Sequence, residues 1–125
     1  MNRQEQAVQI KHARNNCCQA VLLAYADKLP FDEPTLRAMG AAFGGGMATG
    51  EATCGALCGA QMVLGLLEAG KRPVAGNARA VLTRFRELCG ATICADLKGT
   101  ATGKMLCSCD DCVRNAVRAL EETLR

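Results

Sequence analysis

Aromatic residues are nearly missing from this chain: it has no tryptophan, one tyrosine (Tyr25) and three phenylalanines (Phe31, Phe43 and Phe85). Its core must therefore come from Leu, Val, Met, Cys and Ala, small side chains that suit closely approaching helices. The same shortage, with a formal charge of only +3, excludes the usual nucleic-acid surface, which combines stacking aromatics with a stronger basic bias. The local basic peak at Lys71, Arg72, Arg79, Arg84 and Arg86 reads as a solvated helix face. Histidine is almost absent too. His12, on a charged stretch, reads as solvated and leaves little for acid–base catalysis. No Ser–His–Asp set or paired-carboxylate motif replaces it, and whether the protein is an enzyme stays open.

Long apolar runs are lacking as well. The longest uncharged run, residues 52–67, falls short of the roughly 18–20 apolar residues of a membrane span. It also contains Gln61 and several glycines, so it predicts a buried core helix and no membrane insertion. Residues 1–12 are polar and charged, without an apolar h-region, which predicts no secretory signal and a cytoplasmic location. No stretch alternates apolar and polar residues long enough to predict a sheet.

Helical periodicity recurs instead. Half of the 125 residues are apolar and 22% are charged, which fits one folded domain over residues 1–125. The spacing of Ile10, Cys17, Val21 and Tyr25 predicts a first helix over residues 4–28, ended by Pro30. Asp32 can cap a second helix carrying Leu36, Met39 and Phe43 that dissolves in Gly44-Gly45-Gly46. A third is predicted over residues 51–69, stopped by Gly70. Pro73 opens a fourth with the stripe Val74, Ala78, Val81, Leu82, Phe85 and Leu88, ending at Gly90. A short helix follows Thr92, and a last one starts at Ser108, which forms a capping-box pattern with Asp111. The fold class expected is all-α, a compact bundle of five to six helices with a Gly-rich loop before a buried central helix.

Against this background nine cysteines stand out: residues 17, 18, 54, 58, 89, 94, 107, 109 and 112. In a reducing compartment such enrichment points to metal binding or thiol chemistry rather than to structural disulfides. Cys54, Cys94 and Cys109 lie at predicted helix starts, where free N–H groups and a partial positive charge favour thiolate over thiol. Convergence of these starts predicts a thiolate-stabilising pocket without help from Lys or Arg. Cys18, Cys58 and Cys89 read equally well as small core residues. Cys107, Cys109 and Cys112 are too tightly clustered beside two aspartates for that reading. Cys109-Asp110-Asp111-Cys112 is a C-x-x-C without the βαβ setting of a thioredoxin-like motif, and Val113 in place of His excludes a c-type haem site. The spacing also misses the paired C-x-x-C of zinc ribbons. Glycines 44, 45, 46, 50, 55 and 59 flank Cys54, which predicts either a loop wrapped round a reactive sulfur or tight helix packing.

These residues resemble a family of redox-active proteins named for its C_GCAxxG_C_C cysteine pattern. The matching stretches are Asn16-Cys17-Cys18-Gln19-Ala20-Val21, Phe43-Gly44-Gly45-Gly46-Met47, Cys54-Gly55-Ala56-Leu57-Cys58-Gly59-Ala60 and Gly90-Ala91-Thr92-Ile93-Cys94-Ala95-Asp96-Leu97-Lys98-Gly99, followed by Cys109 with Val113. The family is similar to the N-terminal part of split-Soret cytochromes, whose haem-binding part has no counterpart here. The resemblance implies that the recurring cysteines are Cys17, Cys54, Cys94 and Cys109, with Cys107 and Cys112 competing for the last place. Cys18, Cys58, Cys89, Cys107 and Cys112 go beyond the pattern and allow a different or larger metal site.

The leading expectation is an iron–sulfur cluster held by Cys17, Cys54, Cys94 and Cys109, with Cys58, Cys107 and Cys112 as additional candidates. Gly45, Gly46 and Gly55 are expected to line it. It would serve electron transfer or cluster handling with an unidentified redox partner protein. One alternative is a thiol–disulfide protein using Cys109 with Cys112 or Cys54 with Cys58. Another is a zinc or other metal-binding module without a redox role. The Gly/Ala-rich helix faces permit a homodimer without demanding one.

Overall fold

The computed structural model describes residues 1–125, and its regular structure is helical. Eight α-helices follow in order: α1 (Arg3–His12), α2 (Cys17–Ala24), α3 (Glu33–Gly40), α4 (Gly44–Met47), α5 (Gly55–Glu68), α6 (Ala75–Cys89), α7 (Cys94–Lys98) and α8 (Cys109–Leu124). A 3-10 turn, Ala26–Lys28, follows α2. The all-α expectation holds, but the count exceeds five to six. One reason is that the apolar stripe of the first predicted helix hides a break. Arg14 adopts a φ of 67°, and Asn16 starts a new helix through a capping box with Gln19. In that box the Asn16 side chain accepts from the Gln19 N–H, and the Gln19 side chain accepts from the Asn16 N–H, both at 2.8 Å. The break makes Cys17 a helix-opening residue instead of a mid-helix one.

The second reason is that the glycine run is itself folded. Gly44–Met47 forms a single turn whose interior glycines, Gly45 and Gly46, both have φ of 63°. The other expected starts hold closely: Asp32 caps α3 by accepting from the Thr35 N–H, and Ser108 caps α8 by accepting from the Asp111 N–H. Gly90 closes α6 with a φ of 94°.

The core lies where α2, α5 and α8 meet. Helix α2 is buried at six of its eight positions, which leaves it almost no solvent face. Helix α5, the expected central helix, buries Ala56, Leu57, Ala60, Val63 and Leu64. The two backbones touch: a Cβ on Gly59 would lie 2.8 Å from the Cys18 carbonyl oxygen, so only glycine permits this approach. Helix α8 buries Val113, Ala116, Val117 and Leu120 against α1, α5 and α6, and Phe85 of α6 is the largest fully buried side chain. The basic residues of α6 are less purely solvated than expected, since Arg84 pairs with Glu122 at 2.8 Å. No helix is long and apolar enough to cross a membrane.

Candidate metal centre

Cys17, Cys54, Cys94 and Cys109 each stand at a helix start. Cys17, Cys94 and Cys109 are the first residues of α2, α7 and α8, and Cys54 immediately precedes α5. Two of these starts are held side by side by backbone pairing. The Cys54 N–H donates to the Thr92 carbonyl at 2.8 Å, and the Cys94 N–H donates to the Ala52 carbonyl at 3.0 Å, around an antiparallel bridge between Thr53 and Ile93. The Ala95 N–H extends this zipper to the Gly50 carbonyl at 2.8 Å. Helix α2 then brings Cys17 Sγ against Gly55 at the start of α5, beside Cys54, and the two thiols bear on each other's titration. Cys94 lies within electrostatic reach of Cys17, Cys109 and Lys98.

Two of the three glycines expected to line the site pack against these cysteines: a Cβ on Gly55 would sit 2.6 Å from Cys17 Sγ, and one on Gly46 would sit 2.7 Å from the Cys94 Cβ. A Cβ on Gly45 would meet nothing within 4 Å, and the Gly45 backbone acts on Cys17 in the direction that favours its thiolate. Positive φ continues past the glycines through Met47 (57°) and Ala48 (64°), closed by a 2.9 Å hydrogen bond from the Ala48 N–H to the Gly44 carbonyl. Left-handed geometry costs a non-glycine residue roughly 1–2 kcal/mol. The chain thus maintains a strained turn directly beside Cys17 and Cys94.

A second group adjoins the first. The Sγ atoms of Cys89, Cys107 and Cys112 all lie within 4.8 Å of one another, and all three residues are buried. Cys89 ends α6, Cys107 precedes the Ser108 cap and Cys112 lies in the first turn of α8. The Asn115 carboxamide donates to Cys89 Sγ at 3.4 Å. Cys54 and Cys112 link the two groups electrostatically, each bearing on the other's titration. A buried cysteine cluster of this kind can hold a metal ion, and an all-thiol donor set without histidine selects a soft, thiophilic one.

The remaining candidates separate clearly. Cys58 is half-buried and directs its thiol to the Thr53 carbonyl at 3.9 Å. Cys18 is fully buried within the apolar core, as its core reading expected. Cys109 is the one exposed cysteine. His12 is exposed, yet its Nε2 lies 2.9 Å from Asp110 Oδ2, beside Lys11, which pairs with the same carboxylate.

The electrostatics correct one expectation. Helix starts were expected to favour thiolates, but here the thiols crowd one another and are pushed the other way. Cys54 is raised to about 12, first by its hydrogen bond with Cys112, with burial adding to it. The hydrogen bond with Cys54 and then burial raise Cys17, and burial raises Cys94. At Cys112 the hydrogen bond with Cys54 pulls downward, but the one with Cys89 and burial outweigh it. Thiols packed like this keep their protons near neutral pH until a cation displaces them.

A second correction concerns Lys98, since the pocket was expected to need no help from Lys or Arg. Its Nζ donates to the Cys107 carbonyl at 3.3 Å and to Cys112 Sγ at 3.6 Å, and Cys109 also lies within its electrostatic reach. Burial disfavours its charge, yet the cysteines around it hold it above the ordinary lysine value. The available signal was its position four residues after Cys94, on the same helical face. Cys89 was not among the expected ligands either. It lies far from Cys107 and Cys112 in sequence, and nothing local links them.

The profile of the family described as "Putative redox-active protein (C_GCAxxG_C_C)" matches residues 15–123. The chain belongs to this family. The match spans every cysteine of both groups. Comparison with curated proteins and with solved structures found no match.

Proposed function

We propose that Cys17, Cys54, Cys94 and Cys109 hold an iron–sulfur cluster used for electron transfer or cluster handling. The observation that supports this reading is that each of these cysteines stands at a helix start, with Cys17 and Cys94 packed against the glycine-rich segment. Four thiolates from separate segments meet the ligand demand of such a cluster.

A cluster held there would supply one-electron chemistry at a potential tuned by its surroundings. The chain's own residues have separate tasks. The Gly45 backbone and the Lys98 ammonium offset thiolate charge, while the surrounding helices bury Cys54 and half-bury Cys17. Exposed Cys109 provides the edge at which a redox partner protein meets the centre.

Anaerobic purification, or reconstitution with iron and sulfide, should give a brown protein with stoichiometric iron and acid-labile sulfide. Cys17→Ser and Cys94→Ser should each remove most of that colour. A colourless, iron-free product after reconstitution refutes the reading. One observation favours a second reading, thiol–disulfide exchange: Cys54 and Cys112 are both buried and each bears on the other's titration. That pair differs from Cys109 with Cys112 and Cys54 with Cys58. It would appear as reversible loss of two titratable thiols that disappears in Cys112→Ser.

A further inference from the structure

We propose that Cys89, Cys107 and Cys112 form a second metal site, separate from the four-cysteine centre, which takes one closed-shell thiophilic cation of the Zn2+ class. The inference does not depend on an iron–sulfur cluster at the first site. It starts from distance. The three sulfurs already lie within 4.8 Å of one another. Three thiolates on one ion at about 2.3 Å sit about 4 Å apart, so side-chain adjustments smaller than about 1 Å close the site.

The backbone holds the three in place independently of one another. Cys89 ends α6 ahead of the left-handed Gly90. Cys107 is pinned by its N–H to the Leu97 carbonyl at 3.2 Å, and Cys112 by the Ser108-capped first turn of α8. The return of the chain to Leu97 depends on Gly99, where a Cβ would fall 2.2 Å from the Lys104 carbonyl oxygen.

Packing alone does not account for the polar groups around these sulfurs. A trio of core thiols needs only apolar neighbours. Here the Asn115 carboxamide lies 3.4 Å from Cys89 Sγ and 4.0 Å from Cys107 Sγ. The Lys98 ammonium lies 3.6 Å from Cys112 Sγ. Donors of this kind orient thiolates and spread their charge behind a metal.

Charge selects a divalent ion. It displaces three protons to the buffer, forms three metal–sulfur bonds and leaves one net negative charge, which the Lys98 ammonium balances. No electron is transferred. Zinc completes a tetrahedron with water in the fourth place, which leaves the Asn115 amide donating to Cys89 Sγ.

The test titrates Zn2+ into the reduced, metal-free full-length chain under anaerobic conditions against a chromophoric chelator, with Co2+ as a spectroscopic stand-in. The Cys89→Ser/Cys107→Ser variant should lose one tight equivalent, with at least a hundredfold weaker binding and loss of the sulfur-to-cobalt absorption. The Cys17→Ser/Cys94→Ser variant should keep that equivalent. Retention by the first variant, or loss only in the second, overturns the proposal and leaves a packing trio. Should the first variant fail to fold, alkylation of the native chain decides. Zn2+ should slow the labelling of Cys89, Cys107 and Cys112 at least tenfold, and unchanged labelling overturns the proposal. A chain that holds this zinc but no iron or sulfide refutes the proposed function alone.

Discussion

One added methyl group measures how tightly the first thiol group is enclosed. A Cβ on Gly55 meets Cys17 Sγ at 2.6 Å and the Phe43 carbonyl oxygen at 2.7 Å, and the second contact is backbone that cannot swing aside. Gly55→Ala should therefore lower stability by about 1–3 kcal/mol, the usual cost of overfilling a packed site. It should also lower iron uptake, because Cys17 must move. Urea unfolding of the reduced protein checks the first part, and an unchanged midpoint would contradict it. For single residues, the sequence is informative where the chemistry is rare. Cys54, Cys94 and Cys109 stand out at expected helix starts and Gly45, Gly46 and Gly55 in the glycine-rich stretch around Cys54, while Cys17 joins the set through the family resemblance. Lys98 and Cys89 do not, because an ordinary lysine and a helix-end cysteine acquire meaning only from distant neighbours.

Among the helices, α2 depends most on the residue that caps it. The Asn16 side chain accepts from the Gln19 N–H, and its amide also donates to the Gly40 carbonyl at 3.1 Å, which ties the start of α2 to the end of α3. Asn16→Ala should cost about 1 kcal/mol for the cap. It should also raise hydrogen exchange selectively in the first turn of α2, around Cys17 and Cys18. Uniform exchange throughout the chain would argue that the cap is dispensable. The caps at Asp32 and Ser108 are legible in the sequence because each precedes a fresh apolar stripe. Asn16 is not, since the stripe of α1 runs in phase into α2 and conceals the break at Arg14. The Thr53–Ile93 bridge is invisible for a different reason. It is a single pair, far below the length at which alternation can signal a strand.

Across the whole molecule the buried thiols make stability depend on alkaline pH. Burial raises Cys18 to about 12, and the hydrogen bond with Cys112 together with burial raises Cys54 to about 12. In the unfolded chain the same thiols titrate near 9.0. Between these values the unfolded state has lost the proton that the folded state keeps, so unfolding releases protons and higher pH favours it. Stability of the reduced, metal-free protein should be undiminished below about pH 9. Above it, stability should fall by about 1.4 kcal/mol per pH unit for each such thiol, until the pH passes the folded value. Denaturant midpoints measured from pH 7 to 11 with a reductant present check this. A flat profile would mean that the thiols are already ionised or exposed.

The helical class, the buried central helix and the set of available sulfurs all follow from the amino-acid order, because periodicity, end signals and residue chemistry are local properties. Which sulfurs meet does not follow from it. Helix packing decides that Cys54 touches both Cys17 and Cys112, that Cys89 joins Cys107 and Cys112, and that Lys98 lies beside Cys112 and Cys109. Proximity between residues remote in the chain depends on how the elements between them are stacked. Here glycine-level contact between α2 and α5, and one backbone bridge between residues 53 and 93, set that stacking.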